Sequence, residues 1–257
     1  MDLFKAHSQY REKAAIWRIF NLLPLYAPLA EGHIFRWFAI NIPMDLKTGG
    51  KFTSDIDIIA CLRSKPQRGV RRDPDELIYK TWEVKVSLLH EDGRASSLKV
   101  GKTRRTMKQL NAYRDFGCPE VSLLEIYVCG PGCFRDNTFP PAVVEEVIRE
   151  RFRELKKGGF GYLIHPFELQ RRGDTDIGIL APGASNFRLL TSANNALREP
   201  FSRFAKDLNE FFESETKDRA KKSFLWIVFC GRCRRLRLLG SKEQYVCPRC
   251  KADLVLQ

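Results

Sequence analysis

Polar and apolar residues alternate at the start of residues 53–62, a pattern that predicts a β-strand. Asp55 and Asp57 alternate there with Ile56 and Ile58. Residues two apart in a strand share a face. We therefore expect the two carboxylates to point to one side of the strand and the isoleucines to the other.

Residues 81–86 predict a second strand with the same division between faces. Glu83 and Lys85 share one face, and Trp82, Val84 and Val86 lie on the other. If the two strands are neighbours, carboxylates and one lysine come together above an apolar layer.

Such a group of charges costs free energy unless something neutralises it. Clustered carboxylates repel one another, and a partly buried lysine is poorly solvated. A hard divalent cation relieves the carboxylates, because oxygen ligands suit magnesium and manganese. The lysine can then lie beside the attacking water or the phosphate, which is the chemistry needed for metal-assisted hydrolysis of a phosphodiester.

Hydrophobic periodicity predicts further helices and strands along the chain. A strand, a helix and a strand follow one another at residues 121–129, 140–157 and 160–165, which predicts a parallel crossover. Gly117 lies where the helix before them should end. The other predicted elements are helices at 8–22, 100–116 and 198–214 and a strand at 33–42.

Three of these features together resemble the PD-(D/E)XK nuclease superfamily. Asp57 followed by Glu83-Val84-Lys85 resembles its D…(D/E)-x-K signature, and Gln109 with Tyr113 matches the Q-x-x-x-Y helix motif of RecB-like members. The resemblance covers about residues 8–166. It implies an α/β fold of the restriction-endonuclease-like type, with a mixed central sheet flanked by helices.

The resemblance also implies roles for individual residues. Asp57 and Glu83 would bind one or two magnesium or manganese ions, with a backbone carbonyl near Val84 as a further ligand. Lys85 would orient or deprotonate the attacking water and steady the phosphate, and Gln109 would assist. Candidate accessory residues are Asp55, Tyr113 and Glu12, with Glu31 as a second choice for Glu12. For either glutamate the alternative is an ordinary exposed side chain.

A basic composition favours nucleic acid as the partner. The 257 residues include 44 Lys plus Arg against 31 Asp plus Glu, a net charge of +13. Basic side chains that neutralise phosphates release counterions, which drives binding. The alternative is that the charge serves solubility. DNA is the expected substrate, and RNA stays open. The candidate nucleic-acid-binding residues are Arg63, Lys65, Arg68, Arg71, Arg72, Lys102, Arg105, Arg234 and Arg235.

Two C-x-x-C motifs near the C-terminus predict a zinc site. Cys230 and Cys233 form the first motif, Cys247 and Cys250 the second, and thirteen residues separate the motifs. Four thiolates at this spacing hold a tetrahedral zinc ion. The segment 224–257 resembles a zinc ribbon, and four cysteine ligands leave no open position, so the zinc is expected to be structural rather than catalytic.

These patterns predict three parts of the chain: a nuclease domain at 1–196, an amphipathic helix with a charged linker at 197–222, and a zinc ribbon at 223–257. The phenylalanine-rich helix would pack on the nuclease core or dock on another subunit. No apolar run is long enough to span a bilayer, and the N-terminus lacks a secretory signal, so we expect a cytoplasmic protein.

The predicted function is a magnesium-dependent DNA endonuclease of DNA repair or of defence against foreign DNA. It would act alone, as a homo-oligomer, or with a partner subunit such as an ATPase. The alternative is a catalytically silent DNA-binding or adaptor subunit that uses the basic surface and the zinc ribbon.

Overall fold

The computed structural model describes residues 33–46, 54–63, 77–89, 95–96, 102–129, 142–172, 175–180, 187–217, 225–240 and 246–254. The chain divides into two compact units. The first unit takes the described residues of 83–111 and 121–193, and the second takes those of 26–82, 112–120 and 194–257. The predicted helix at 8–22 lies outside the described residues.

The fold is mixed α/β, as the sequence predicts. The described residues form three helices, α1 (Lys102–Phe116), α2 (Ala142–Gly158) and α3 (Phe201–Thr216). The strands are β1 (Ile34–Pro43), β2 (Asp55–Arg63), β3 (Leu77–Leu89), β4 (Ala95–Ser96), β5 (Glu120–Cys129), β6 (Gly161–Arg172), β7 (Thr175–Leu180), β8 (Phe187–Leu190), β9 (Leu225–Cys230) and β10 (Arg235–Gly240). A short 3-10 turn, Met44–Leu46, follows β1.

In the second unit the strand order is β10-β9-β1-β2-β3. Strands β1 and β2 are antiparallel, and so are β2 and β3, which confirms that the strands carrying Asp57 and Glu83 pair as neighbours. Strand β9 joins β1 in parallel, and β10 returns antiparallel to β9. The first C-x-x-C motif therefore ends a strand of this sheet.

In the first unit the strand order is β3-β5-β6-β7, with β4 beside β3 and β8 beside β6. Strands β5 and β6 are parallel, with α2 between them in the chain, so the predicted crossover is confirmed. The hairpin partner β7 and the strand β8 lie in a region where the sequence carries no clear pattern.

Glycines end α1 and α2, and Gly117 lies where the sequence predicts the end of α1. Gly117 and Gly159 have φ of 99° and 70°, in the left-handed region that favours glycine. After α1, the Cys118 N–H donates to the carbonyl of Tyr113 at 3.1 Å. A Cβ at position 117 would lie 2.5 Å from the Arg198 carbonyl oxygen, so the close approach of the backbone also requires glycine.

The phenylalanine-rich face of α3 packs within its own chain. Phe201, Phe204 and Leu208 are buried, and the ring of Phe204 meets Phe116 edge to face. This contact accounts for the first half of the apolar stripe through ordinary core packing, one of the two interpretations that the sequence leaves open.

Asn209 ties α3 to the sheet through hydrogen bonds. The Trp37 indole N–H donates to Asn209 Oδ1 at 2.7 Å, and Asn209 Nδ2 donates to the Tyr79 hydroxyl. The thiol of Cys61 lies 3.8 Å from the same Asn209 oxygen. A half-buried amide with its polar atoms bonded fixes the position of the helix along the strands.

No helix in the described residues is long and apolar enough to cross a membrane.

Candidate functional site

Strand β2 presents the two predicted aspartates on one side. Ile56 and Ile58 are fully buried, while Asp55 is exposed and Asp57 is partly exposed. The alternation that the sequence predicts is therefore confirmed, and Asp57 is the more enclosed of the two carboxylates.

Tyr113 supports the backbone around Asp57. Its buried hydroxyl donates to the carbonyl oxygen of Asp55 at 2.9 Å and accepts from the Asp57 N–H at 3.2 Å. One side chain thus satisfies a carbonyl and an amide that lie two residues apart on β2. Tyr113 holds the strand that carries Asp57, a role that the helix motif alone does not reveal.

Strand β3 buries Glu83 and pairs it with Lys85. The Glu83 side chain is 1% exposed, and Lys85 Nζ lies 2.6 Å from Glu83 Oε1 while its own side chain is 19% exposed. Trp82 and Val84 are buried beside Glu83. The ladder between β2 and β3 runs from the pair Arg63 and Leu77 to the pair Ile58 and Trp82.

A second ion pair on β3 has a different geometry. Lys80 Nζ lies 3.1 Å from Glu120 Oε2. Both side chains are largely buried. This pair joins residues 40 positions apart in the chain, whereas Glu83 and Lys85 follow one another on a single strand.

Gln109 lies on α1, in the same compact unit as Glu83 and Lys85. Its side chain is partly buried, and Oε1 is enclosed with no hydrogen-bond partner among the described residues. A buried acceptor of this kind costs free energy unless a ligand or water serves it. This is consistent with the predicted accessory position of Gln109.

Exposure decreases along the predicted α1 motif. Arg105 is exposed, Gln109 is partly buried and Tyr113 is fully buried. Residues spaced by four drift around a helix of 3.6 residues per turn. The line of residues therefore turns from solvent at Arg105 into the core at Tyr113.

The predicted basic residues that the structure describes are exposed: Arg63, Arg105, Arg234 and Arg235. Lys65, Arg68, Arg71 and Arg72 lie outside the described residues, as do Glu12 and Glu31, and so does the side chain of Lys102.

The four C-terminal cysteines form a cluster that could hold a metal ion. Their sulfurs all lie within 4.8 Å of one another. Cys230 Sγ is 3.6 Å from Cys250 Sγ, and Cys233 Sγ is 3.7 Å from Cys247 Sγ. A tetrahedron of zinc–sulfur bonds of ~2.3 Å has edges of ~3.8 Å, close to these separations. In the described part of the chain, no other group of three or more His, Cys, Asp or Glu side chains meets in this way.

Backbone and side-chain donors surround the cysteine sulfurs. Burial tends to raise the pKa of Cys247, but hydrogen bonds from the Cys250 backbone, the Arg237 guanidinium and the Arg249 backbone lower it to about 6. The thiols next to Cys233, that of Cys250 foremost, raise the Cys233 pKa to about 11. The sulfur of Cys247 raises the pKa of Arg237 in turn. The donors around Cys247 thus stabilise its thiolate, the form that binds a metal.

The first unit contains a buried charge cluster that the sequence does not predict. The Arg151 guanidinium pairs with Glu125 Oε1, and the hydroxyls of Tyr127 and Tyr162 donate to Glu125 Oε2. Glu125 is 1% exposed and Arg151 3%. Burial raises the pKa of both tyrosines and lowers the pKa of Arg151. The sequence carries one signal for this cluster: Glu125 and Arg151 are charged residues within otherwise apolar stripes of β5 and α2.

The two cysteines outside the C-terminal motifs that the structure describes, Cys61 and Cys118, are buried and free. Burial raises the pKa of Cys61 to about 12 and raises the pKa of Cys118 as well. They are unreactive core thiols, as their apolar surroundings predict.

Comparisons with protein-family models, with curated proteins and with solved structures found no match to this chain.

Proposed function

We propose that this protein is a metal-dependent DNA nuclease of the PD-(D/E)XK type, with Asp57, Glu83 and Lys85 as its active-site residues. The observation that carries the proposal is the ion pair of Glu83 and Lys85 on β3, with Glu83 almost fully buried. Charges taken out of water lose several kcal/mol of solvation each, so their burial needs a cause.

The ion pair of Glu83 and Lys85 differs from the other buried ion pair on β3 in the residues that it joins. The pair of Lys80 and Glu120 links residues distant in the chain and so contributes to tertiary structure. Glu83 and Lys85 are two residues apart on one strand, and their mutual contact links no two elements. A buried carboxylate beside a lysine is instead typical of sites where charge is arranged for chemistry.

The donor atoms suit a hard divalent cation. Carboxylates of Asp57 and Glu83 and the carbonyl of Val84 are oxygen ligands, which magnesium and manganese prefer. A bound cation of this kind supplies Lewis-acid stabilisation of the charge on the phosphate. Asp57 would be presented by the strand that Tyr113 supports.

The chain's own residues supply the remaining steps. The Lys85 amine, after releasing its own proton to solvent, accepts a proton from the attacking water, and Gln109 orients the same water through its enclosed Oε1. The water oxygen forms a bond to phosphorus, the bond from phosphorus to the leaving sugar oxygen breaks, and that oxygen takes a proton from solvent. The Lys85 ammonium stabilises the extra negative charge on the phosphate as this occurs.

The aspartates of β2 give a matched pair of variants that tests this proposal. We expect Asp57→Asn to lower magnesium-dependent DNA cleavage at least ~100-fold, because it removes one charged ligand of the metal. Asp55→Asn lies on the same face but is exposed, and should keep most of the activity. Cleavage rates on plasmid DNA and manganese affinity by electron paramagnetic resonance measure both effects. Equal rates for the two variants would exclude Asp57 as a ligand.

We further propose that the four C-terminal cysteines hold a structural zinc ion. The sulfur separations fit a tetrahedral site, and all four positions are taken by protein ligands, so no position is open for catalysis.

Removal of the zinc should unfold the C-terminal segment. Native mass spectrometry should find one zinc ion per chain, and a chelator at neutral pH should release it with loss of amide hydrogen-exchange protection in residues 246–254. These residues form little core of their own, so metal binding supplies their folding free energy. Cys250→Ser should bind zinc at least ~10-fold more weakly. Full protection in the metal-free protein would contradict this proposal.

The alternative function is a catalytically silent DNA-binding or adaptor subunit. The exposed basic residues beside the cysteine cluster favour it, since they serve DNA binding whether or not DNA is cut. Such a subunit would bind DNA with magnesium present and leave it intact. A partner such as an ATPase, or a second copy of the chain, belongs to this proposal too, although the buried part of the α3 stripe gives it no support.

A further inference from the structure

The two cysteine motifs share an unusual backbone feature. Arg234 directly follows Cys233, and Lys251 directly follows Cys250. Both residues have positive φ, 51° at Arg234 and 57° at Lys251. The same position of each motif thus adopts the left-handed conformation, and in both motifs the residue is a long basic side chain.

Glycine is the residue that fits this conformation without strain. A side chain with a Cβ is destabilised in the left-handed region by contact with its own carbonyl oxygen. The folding of the motif alone would be served better by glycine at both positions. Non-glycine residues held in such conformations are concentrated at functional sites, so the two side chains are expected to have a use of their own.

The location of Arg234 and Lys251 indicates what kind of group their side chains bind. Arg234 and Lys251 are exposed, and each follows a cysteine whose sulfur belongs to one cluster, so both leave the backbone at the same tip. The described residues of 225–240 and 246–254 contain six basic residues and one acidic residue, Asp253. These two segments therefore carry mostly positive charge, and both basic residues of the tip are open to solvent.

The alternative role for Arg234 and Lys251 is to neutralise the cysteine thiolates. Another residue, Arg237, already supplies a positive charge for that role. The guanidinium of Arg237 is partly buried against the sulfurs of Cys247 and Cys233. Its Nε and NH2 are enclosed and have no hydrogen-bond partner among the described residues. A cation shielded from solvent in this position serves the thiolates, whereas an exposed one can reach an external anion.

We propose that Arg234 and Lys251 together form a phosphate-binding tip that grips the DNA backbone. This inference rests on the proposed function in that DNA is the partner. The two cations contact backbone phosphates of the DNA and carry no sequence preference, since phosphates report position rather than base identity. The left-handed backbone directs both side chains from the tip, and its strain is tolerated for that reason.

Glycine substitutions test the proposal without disturbing the fold. Affinity for a short duplex of arbitrary sequence is measured over a salt series for the zinc-loaded wild type, Arg234→Gly, Lys251→Gly and the double variant. Each loss of a phosphate contact should reduce the slope of log K against log salt by about 1, and weaken binding roughly tenfold at 0.1 M salt. Zinc content should stay unchanged and the thermal midpoint should not fall, because glycine relieves the backbone strain.

Arg203→Gln is the control, because Arg203 is an exposed cation on α3 that belongs to neither cysteine motif. It should leave the salt slope unchanged. Two results would overturn the proposal: glycine variants with the wild-type slope, or glycine variants that lose zinc, which would make the two cations partners of the thiolates. If the wild type binds DNA without cutting it, and the glycine variants show the expected changes in salt slope, the nuclease proposal is refuted and this inference still holds.

Discussion

Lys85→Ala is expected to lower magnesium-dependent DNA cleavage by roughly 10²–10⁴-fold, the usual cost of losing a group that moves a proton and stabilises charge in the transition state. Lys85 Nζ contacts Glu83 Oε1 at 2.6 Å, so the variant also leaves a buried carboxylate without that ammonium. The fall in rate should therefore come with some loss of stability. Cleavage of plasmid DNA at saturating magnesium, with the folded fraction measured in the same buffer, gives the rate per folded molecule.

Lys80→Ala is the control for this experiment. Lys80 lies on the same strand and takes part in its own buried ion pair with Glu120, so its loss also destabilises the fold. We expect the cleavage rate per folded molecule to change little in Lys80→Ala. If both lysine variants lose the same activity, the effect arises from stability, and Lys85 has no special part in the reaction.

Arg151→Met should destabilise the protein by about 3–5 kcal/mol. The substitution leaves the carboxylate of Glu125 buried beside two tyrosine hydroxyls without the Arg151 cation, and an uncompensated buried charge is costly. Urea unfolding followed by fluorescence measures the change. A second substitution, Glu125→Leu, should recover part of the loss, because it removes the charge that Arg151→Met left unpaired.

Arg149→Gln provides the comparison on the same helix. Arg149 is exposed and pairs with Glu145 one turn away, a surface contact worth at most ~1 kcal/mol. A loss for Arg151→Met as small as the loss for Arg149→Gln would show that the Glu125 cluster contributes nothing beyond a surface ion pair.

Local sequence signals predict the elements that depend on local physics. The Asp and Ile alternation predicts the two faces of β2 correctly, because the side of the strand that carries Asp55 and Asp57 is at least partly exposed there. Strand β3 is predicted too short, at 81–86 instead of Leu77–Leu89. Residues Tyr79 to Trp82 are all buried, so both faces of the strand are enclosed and alternation no longer marks its course.

Contacts between residues far apart in the chain are the part of the structure that the sequence does not reveal. Glu125 and Arg151 are 26 residues apart, and neither carries a signal that the other will neutralise it. The cysteine cluster is the opposite case, because ligand type and spacing alone specify it and the four sulfurs do converge. The proposed nuclease site lies between these cases: β2 and β3 pair as predicted, while the assignment of Asp57, Glu83 and Lys85 to catalysis stays a prediction.

The most direct test of the central proposal is cleavage of supercoiled, linear and single-stranded DNA by the zinc-loaded protein, with magnesium and with a chelator that spares the zinc. We predict nicking and then linearisation of the supercoiled form with magnesium and none with the chelator. DNA that is bound but uncut in all three forms, with magnesium or with manganese, would contradict the proposal and favour the silent DNA-binding subunit.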